Sequence, residues 1–571
     1  MRKYLTIDLS TKSVTSEDLS GEEIARAGRY RIAKTLVDRD LATVDPLSPE
    51  NPFVISAGPF AGSNFSNGNR ISIGCKSPLT GGIKESNGGG TMAFALGQLG
   101  ISGMTLEGAA DDWVVIRIPL EGEITFEDAT PYLGKGVFEA AKLLGEKYGD
   151  KVSMGITSPV AEYGGLIGGV TFTDPEGRPT RICARGGVGA VLASKKVKAI
   201  VCDKNKMPDF HDRKKFMQSL KTYGGKIRED AATQNLGARG TAMVADVINH
   251  LGGLPVANFR DGRQVDTSTG DVLKIGGDYI REQNLERGGE PTHACMPGCL
   301  IKCSNVYADE EGNELVAPLE YETIGLMGSN CGLTHPDQIA RVNAIANDLA
   351  IDTIETGALL GAMMDAGLGE YGDENFMLEA LADMRDGNER GKILAQGTAR
   401  VGEHYGITRL PIIKKQSISA YDPRVIEVTG ISMMLTAQGA DHTTGNLPAF
   451  ECAGKSTEEL TLESLNIQAK CASVDSLGIC VFGRSVHNAE PELIINALND
   501  ALGTDFDVEF FDRLGKETLA LEKEFNDAAG FTTDDDELPD FFYQEPLAPT
   551  MKMARHHAAT VNEIRERWLA E

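Results

Sequence analysis

The sequence contains no long apolar run. No segment reaches the roughly 20 consecutive apolar residues that a membrane-spanning helix needs. The first residues, Met1 to Asp8, lack the apolar core of a secretory signal peptide. No low-complexity linker interrupts the chain. These absences predict a soluble, cytoplasmic protein without a membrane span, whose domains pack against one another.

Positive charge is scarce. The chain has 56 Lys and Arg against 83 Asp and Glu, a formal net charge of −27 at pH 7. Such a surface repels the phosphates of nucleic acid, so we predict no nucleic-acid partner. An acidic surface keeps a protein in solution and favours partners that carry basic patches.

The length and the hydrophobic periodicity predict an α+β protein with several domains. A chain of 571 residues is too long for one hydrophobic core. We predict a β-rich domain over residues 1–205, a helical domain over 206–400 and a mainly helical domain over 401–571. The predicted strands are Tyr4–Leu9, Pro52–Gly58, Trp113–Ile118 and Val197–Cys202. The predicted helices include Thr91–Leu99, Val137–Tyr148, Phe210–Leu220, Thr241–Leu251, Asp337–Leu349 and Met551–Ala570.

The phosphate-binding loop Gly-x-x-x-x-Gly-Lys-Ser/Thr is also absent, although glycine is abundant at 65 residues. Three glycine-rich turns, over residues 68–82, 85–90 and 184–190, lie in the β-rich region instead. Their backbone N–H groups could hold phosphate, with Arg70 and Arg185 adding charge-assisted hydrogen bonds. Ordinary tight turns of a β-rich domain are the alternative interpretation.

Cysteine is the most informative residue type. Cys295, Cys299 and Cys303 follow one another at intervals of four, and Cys480 ends a remote segment that begins at Asp475. In a cytoplasmic chain such a group predicts metal binding rather than disulfides. Three clustered thiols with one remote thiol suit an iron–sulfur cluster. A zinc ion held with His293, or buried free thiols, are the alternatives.

Two further patterns indicate a ligand site. The segments Asn347–Asp352 and Asp475–Cys480 share the order polar-x-x-small-aliphatic-polar, which would suit two related halves of a ligand; two unrelated helix ends are the alternative. Glu320 and Glu322 lie in an otherwise apolar stretch. Burial would raise the pKa of such a carboxyl group toward the working range of a proton-transfer residue, and a satisfied buried glutamate is the alternative. If this stretch is extended, Glu320 turns to the other face.

Several motifs in order carry a resemblance. They are Lys76–Gly82, Glu85–Gly89, Ala184–Val191, Glu320–Thr323, Gly439–His442, Asp475–Cys480 and Ala529–Thr532 with Leu538 and Pro539. Over nearly its full length the chain resembles the aldehyde ferredoxin oxidoreductase family. These are enzymes with tungsten held by two pterins and with one [4Fe–4S] cluster. The resemblance implies oxidation of an aldehyde to a carboxylic acid, with ferredoxin as electron acceptor.

The resemblance also implies roles for individual residues. Tungsten, or molybdenum in its place, would be held by dithiolene sulfurs of the cofactor, so no protein ligand to it is expected. The residues implied to hold the pterins and their Mg²⁺-bridged phosphates are Arg70, Asn87, Gly89, Arg185 and Gly186, with Asn347, Asp352, Asp475 and Ile479 in the paired loops. The implied cluster ligands are Cys295, Cys299, Cys303 and Cys480. Glu322 is the implied proton-transfer group, and His442 would hydrogen-bond the substrate carbonyl or a metal-bound oxygen.

The chain departs from the family pattern at three places. Three residues separate Cys295 from Cys299, where the family commonly has two. Asn347 stands where the family often has an aspartate, and Arg341 lies where some dimeric members place an iron-binding glutamate. One alternative function keeps the cofactor in the active subunit of a larger low-potential complex that reduces acids or aromatic rings. A zinc-stabilised, non-catalytic interaction protein is a remote alternative, and an oligomer or hetero-complex is compatible with either enzyme.

Overall fold

Two six-stranded sheets of the same topology make up the N-terminal region. The protein is described by a computed structural model that covers residues 1–570. The strands of the first sheet are β1 (Arg2–Asp8), β2 (Ser13–Leu19), β3 (Phe53–Ala57), β4 (Ile71–Lys76), β5 (Ile83–Gly88) and β6 (Ile101–Glu107). Those of the second are β7 (Val114–Ile118), β8 (Thr125–Asp128), β9 (Val152–Thr157), β10 (Val170–Phe172), β11 (Arg181–Cys183) and β12 (Val197–Asp203).

The two sheets are internal repeats. The first has the order β2-β1-β6-β3-β4-β5 and the second β8-β7-β12-β9-β10-β11, so each strand corresponds to the strand six places later. In both, one pair is parallel, β1 with β6 and β7 with β12, and the other pairs are antiparallel. The helices of this region are α1 (Glu22–Ala25), α2 (Gly28–Asp38), α3 (Met92–Gln98), α4 (Val137–Tyr148), α5 (Pro159–Glu162) and α6 (Val188–Ser194). Apolar side chains of both sheets share one core with α3 and α6, which removes the inner faces from water.

Helices dominate the rest of the chain. Residues 206–405 contain α7 (Arg213–Glu229), α8 (Ala231–Arg239), α9 (Met243–Leu251), α10 (Gly277–Glu286), β13 (Glu290–His293), β14 (Ser304–Ala308), β15 (Glu314–Val316), α11 (Tyr321–Thr323), α12 (Pro336–Leu349), α13 (Thr353–Asp365), α14 (Glu374–Asp386), α15 (Glu389–Leu394) and α16 (Thr398–Tyr405), the last of which crosses the predicted boundary at residue 400. Residues 401–570 contain β16 (Ile412–Ile413), β17 (Gln416–Ser417), α17 (Glu427–Leu435), α18 (Thr457–Ser476), α19 (Arg484–His487), α20 (Glu492–Leu502), α21 (Glu509–Ala528), α22 (Phe541–Gln544) and α23 (Ala558–Ala570).

The predicted fold class, a β-rich N-terminal region followed by mainly helical regions, is confirmed. The domain boundary at residue 400 stays a prediction, because one large apolar core contains side chains from both helical regions. None of the helices among residues 1–570 has the length and apolar character of a membrane span.

Two local predictions need correction. The closing helix begins at Ala558 rather than at Met551, because Lys552 pairs with Leu547 in an isolated bridge and Met551 has a positive φ of 58°. The stretch around Glu322 is not extended: Tyr321–Thr323 form a helical turn that continues into a wider π-helical turn over Ile324–Gly328. Such single wide turns are frequent at functional sites.

Candidate active site and cysteine cluster

The four cysteines predicted to hold a cluster lie in one region of the fold. One comes from the segment after α18 and three from the loop between β13 and β14, and all contact the same apolar cluster: Cys295, Cys299, Cys303 and Cys480. The loop is held to the first sheet by a hydrogen bond from the Gly90 N–H to the Cys295 carbonyl at 2.8 Å. Burial raises the pKa of the Cys295 thiol to about 12. A thiolate here therefore needs a compensating cation, as a bound iron would provide.

The loop between Cys295 and Cys299 turns sharply at Gly298. This glycine has a positive φ of 79°, and a Cβ there would lie 2.9 Å from the Asn64 Cα. Asn69 Nδ2 donates to the Pro297 carbonyl at 3.1 Å. The loop thus bulges in a left-handed turn pressed against residues 64–69, a geometry that favours glycine.

The zinc alternative gains no support from the geometry. His293 Nε2 lies 2.7 Å from Glu176 Oε2, and its Nδ1 lies 3.2 Å from an Arg181 nitrogen, so both ring nitrogens already have partners. Within residues 1–570, the group of metal-binding side chains whose ligand atoms lie within 4.8 Å of one another is Asp174, Glu176 and His293, without a cysteine. A tetrahedral zinc site would hold its sulfurs about 4 Å apart.

The two segments with the shared sequence pattern have the same backbone geometry. Asn347 and Asp475 both lie in the last turn of a helix, α12 and α18. Three residues later each chain passes a residue of positive φ, Ala350 at 49° and Gly478 at 64°. Each then leaves the helix toward the N-terminal region. The correspondence predicted from the sequence is therefore structural and not a coincidence of six letters.

Each segment pairs with one half of the duplicated N-terminal region. The Asp352 N–H donates to the Ile167 carbonyl at 2.9 Å, and the Cys480 N–H donates to the Asn67 carbonyl at 2.8 Å. In the opposite direction, the Gly169 N–H donates to the Ala350 carbonyl at 2.8 Å, and the Arg70 backbone N–H donates to the Gly478 carbonyl at 3.1 Å. The segment with Cys480 thus faces the first sheet and the segment with Asp352 the second. This is a two-fold arrangement suited to a ligand with two similar halves.

Several residues around these segments fit a polar ligand. Asn347 Nδ2 is buried without a hydrogen-bond partner, which a ligand acceptor would satisfy. Burial and the neighbouring Glu85 raise the pKa of Asp475 to about 8, against the opposing effect of Arg29. Such a carboxyl pair favours a ligand that brings N–H donors. Ile479 is fully buried.

Close backbone approach explains the predicted glycine at Gly89, and side-chain hydrogen bonds hold the predicted arginine at Arg70. A Cβ on Gly89 would lie 3.0 Å from the Cys295 sulfur, so only glycine lets this turn meet the cysteine loop. Arg70 Nη2 donates to the Asn87 carbonyl at 3.1 Å, and its Nε donates to the Asn87 side chain. This guanidinium lies between the cysteine loop and Asp475, within electrostatic reach of both.

Arg185 forms hydrogen bonds that connect the second half of the site to the segment before His442. Its guanidinium donates to the Ala440 carbonyl at 2.9 Å and to the Ser417 carbonyl at 2.5 Å, and lies 3.4 Å from Asp352 Oδ2. Gly186 follows with a φ of 79°, and its Cα packs against the aliphatic stem of Lys84. A phosphate-binding role for Arg185 and Gly186 stays a prediction; the contacts observed connect the N-terminal region to the segment before His442.

A buried ion pair fixes that segment. Lys84 Nζ lies 2.6 Å from Asp441 Oδ2, and both side chains are almost fully buried. Burial alone would raise the pKa of Asp441, but Lys84 and Arg185 hold it well below its usual range. Removing either partner would leave an uncompensated buried charge, so the pair fixes the position of the adjacent His442.

Glu322 and His442 face each other. Glu322 Oε2 accepts a hydrogen bond from the Ala420 N–H at 2.9 Å. Glu322 Oε1 is buried 3.2 Å from His442 Nε2 but has no hydrogen bond of good geometry. Burial raises the pKa of Glu322, against the lowering influence of His442 and of the Ala420 N–H. One buried carboxylate oxygen is thus free to exchange a proton with a bound molecule. Glu320, by contrast, is partly exposed beside Arg181.

Ser419 assigns the tautomer of His442. Arg185 Nη1 donates to Ser419 Oγ at 3.2 Å, and an arginine can only donate. The hydroxyl proton therefore points to another acceptor, and His442 Nδ1 at 2.9 Å is closer than the Ala440 carbonyl at 3.5 Å. If Nδ1 accepts, the neutral ring carries its proton on Nε2, directed to the space beside Glu322.

Replacing Ser419 by alanine should therefore lower kcat/KM about ten- to a hundred-fold and shift its pH profile, because His442 loses the group that fixes its tautomer. Steady-state kinetics from pH 6 to 9 would measure both effects. Ser417→Ala is a matched control, since that hydroxyl is also buried but bonds to Thr398 Oγ1 at 2.7 Å. An unchanged pH profile in Ser419→Ala would remove Ser419 from this role.

Sequence reasoning missed Ser419, Lys84, Asp441 and Tyr421. The Tyr421 ring lies 5.6 Å from the His442 ring and 5.3 Å from the Tyr321 ring, so two aromatic rings line the space next to the acid–imidazole pair. Asp441 could have been predicted, because it directly precedes His442 in the sequence. The other three reach the site only through contacts distant in sequence.

Two family models cover nearly the whole chain. "Aldehyde ferredoxin oxidoreductase, N-terminal domain" matches residues 4–204, and "Aldehyde ferredoxin oxidoreductase, domains 2 & 3" matches residues 218–570. Together with the buried acid–imidazole pair, these matches define an oxidoreductase. The chain belongs to the aldehyde ferredoxin oxidoreductase family, as the motif resemblance predicted.

Individual relatives agree with the family. The chain is 31% identical to the tungsten-containing aldehyde ferredoxin oxidoreductase of Pyrococcus furiosus, over 95% of this chain and 92% of that one. It is 26% identical to the WOR-like subunit of the aliphatic sulfonate oxidoreductase of the same organism, over 80% and 77%. Among solved structures, the active-site complex BamBC of benzoyl coenzyme A reductase, in complex with 1,5-dienoyl-CoA, matches with a TM-score of 0.82. The identity is 17%, over 100% of this chain and 94% of that one.

Proposed function

We propose that this protein oxidises an aldehyde with water to a carboxylic acid, releasing two protons and two electrons, and passes the electrons through a [4Fe–4S] cluster to a ferredoxin. The observation that carries the proposal is the buried pair of Glu322 and His442, whose free carboxylate oxygen and imidazole nitrogen lie 3.2 Å apart. The tungsten-containing relatives supply the reaction class.

The residues present fit the cofactors that the family implies. The two equivalent segments would each hold one pterin, through Asn347 and Asp352 on one side and Asp475 and Ile479 on the other. Arg70, Asn87, Gly89, Arg185 and Gly186 would hold the pterins, their phosphates and Mg²⁺, and Cys295, Cys299, Cys303 and Cys480 would ligate the cluster. When bound, the tungsten–pterin group would supply two-electron redox chemistry and the cluster one-electron transfer.

The protein's own groups would then orient the aldehyde and move the proton. The Nε2–H of His442 would donate to the carbonyl oxygen and polarise it. Glu322 Oε1 would take the proton released as water adds, because burial raises the pKa of this carboxyl and makes it a better base than an exposed glutamate. Tyr321 and Tyr421 would exclude bulk water and pack against the substrate's carbon chain.

An aldehyde panel tests the proposal. Holoenzyme purified without air should reduce benzyl viologen when given short, long or aromatic aldehydes, and the matching acid should accumulate at half the amount of reduced dye. The ratio follows from the balance of two electrons per aldehyde. Dye reduction that does not depend on any aldehyde would contradict the proposal.

A second candidate function is the active subunit of a larger low-potential complex. The similarity to a WOR-like subunit favours it, since that relative is named as one part of an oxidoreductase. Purification from the native organism would distinguish the two: a stable complex with a second redox subunit supports this candidate, and a chain that purifies alone and oxidises aldehydes opposes it.

Arg341 forms a two-pronged ion pair with Glu374 at 2.6 and 2.8 Å, which gives no support to a bridging metal there.

A further inference from the structure

A basic surface stands out on this acidic protein beside the cysteine loop. Helix α7 carries Arg213, Lys214, Lys215, Lys221, Lys226 and Arg228, with Glu229 as its single acidic residue, although the whole chain has a net charge of −27. The next helix, α8, contains no acidic residue. A local reversal of sign of this kind concentrates partners of the opposite charge.

Helix α7 lies directly on the cysteine loop. Phe216, Tyr223 and Ile227 on its buried face belong to the same apolar cluster as the four cysteines. A Cβ on Gly224 would lie 3.1 Å from Leu300, the residue after Cys299. On the next helix, a Cβ on Gly237 would lie 2.4 Å from the Ile301 carbonyl. Helices α7 and α8 therefore cover the loop between Cys299 and Cys303.

The two flanks of helix α7 face different parts of the protein. One flank faces the region around α20, because Ser219 Oγ donates to Asp500 at 2.8 Å and Lys226 pairs with Glu490 at 2.7 Å. The other flank contains Gly224 and therefore faces the cysteine loop. Lys221 and Arg228 are three residues before and four residues after Gly224, which places them on that second flank.

Lys221 and Arg228 are exposed, and so is Lys302, the residue before Cys303. Among residues 1–570, no carboxylate lies within 4.0 Å of the charged nitrogens of these three side chains, in contrast to Lys226. They form what we call the basic rim: Lys221, Arg228 and Lys302. Partly exposed apolar side chains, Leu220, Leu236 and Leu300, lie among them. An apolar centre with a charged border is the usual composition of a protein interface.

We propose that the basic rim docks an acidic electron-carrier protein at the cysteine loop. The inference rests on the proposed function, since it assumes that electrons leave at these cysteines. The charge of the rim opposes that of the rest of the molecule, so an acidic carrier is repelled elsewhere and attracted here. Docking at Lys302 brings the carrier next to Cys303.

The test compares two acceptors in the same holoenzyme. The double variant Lys221→Glu with Arg228→Glu should raise the KM for an acidic ferredoxin about ten-fold or more and remove the increase of that KM with salt. The variant should reduce benzyl viologen with an aldehyde at least as fast as the unaltered protein, because a basic surface does not attract this cationic dye. Retained dye reduction also demonstrates that the variant is folded and loaded.

The matched control reverses two exposed lysines elsewhere, Lys142→Glu on α4 with Lys392→Glu on α15. Neither helix contributes to the apolar cluster around the cysteines, so the KM for ferredoxin should stay unchanged. An unchanged KM in the rim variant, or an equal rise in the control, would overturn the proposal. The proposal would also be overturned if the unaltered protein bound DNA and the rim variant lost that binding while its ferredoxin kinetics stayed the same. A protein that reduces neither acceptor with any aldehyde would instead refute the proposed function.

Discussion

Glu322→Gln is expected to lower aldehyde oxidation about 10²- to 10⁴-fold, the usual effect of removing a general acid–base group. Glutamine has the shape of glutamate and can still accept the hydrogen bond from Ala420, so the fold and the bound metals should remain. The free oxygen at Oε1 would lose its ability to take a proton. In the unaltered protein, the rate should fall on acidification at a higher pH than an ordinary glutamate would give, because burial raises the pKa of Glu322 and the carboxylate is lost as the pH drops through that value.

Glu320→Gln is the matched control for this prediction. Glu320 lies two residues earlier, but its side chain is 40% exposed and lies 3.9 Å from Arg181 rather than beside His442. Its replacement should change kcat less than two-fold. Initial rates at saturating aldehyde, together with tungsten and iron content, would measure both variants. Full turnover in Glu322→Gln would remove Glu322 from the reaction, and equal losses in both variants would indicate a general electrostatic effect instead.

The second large effect is expected at Cys480. Cys480→Ala should remove the broad absorbance near about 400 nm and lower the iron content from about four atoms per chain, because a cubane cluster needs four thiolates. Reduction of both viologen and ferredoxin should fall with it. The remote cysteine is the informative choice because it would join the proposed cluster to the segment that pairs with the first sheet.

Cys471→Ala is the control for this substitution. Cys471 is also a buried free thiol, on the same helix that ends just before Cys480, but it lies outside the apolar cluster that contains the four cysteines. Both changes remove one sulfur from a buried position, so their costs in packing should be similar. Unchanged iron and colour in Cys480→Ala would exclude it as a ligand.

The sequence predicted the correspondence of two segments but not the repeated sheets. The pattern shared by Asn347–Asp352 and Asp475–Cys480 proved to be a real structural correspondence. The duplication of the N-terminal region was missed, although its trace is present: Gly58-Pro-Phe-Ala61 follows β3 as Ser158-Pro-Val-Ala161 follows β9. Four residues are too few to detect without strand positions, because most of each repeat is fixed only by apolar character, which many sequences satisfy.

The groups around the acid–imidazole pair could be predicted only in part. Glu322 and His442 were found because motifs carry them, whereas Ser419 and Lys84 act through contacts that the chain's folding creates. Lys84 meets Asp441 across 357 residues, and no local pattern encodes such a pair. The helical turn at Glu322 was not predicted because three residues, Tyr321 to Thr323, are too short for a period to be read.

Metal analysis of protein purified without air tests the central claim most directly, that this chain holds a tungsten–pterin group between two equivalent segments and a cluster on four cysteines. We expect about one tungsten, or molybdenum in its place, and about four iron atoms per chain. Full iron content without tungsten or molybdenum would contradict the account, and about one zinc per chain in a colourless protein would replace it with a structural metal site.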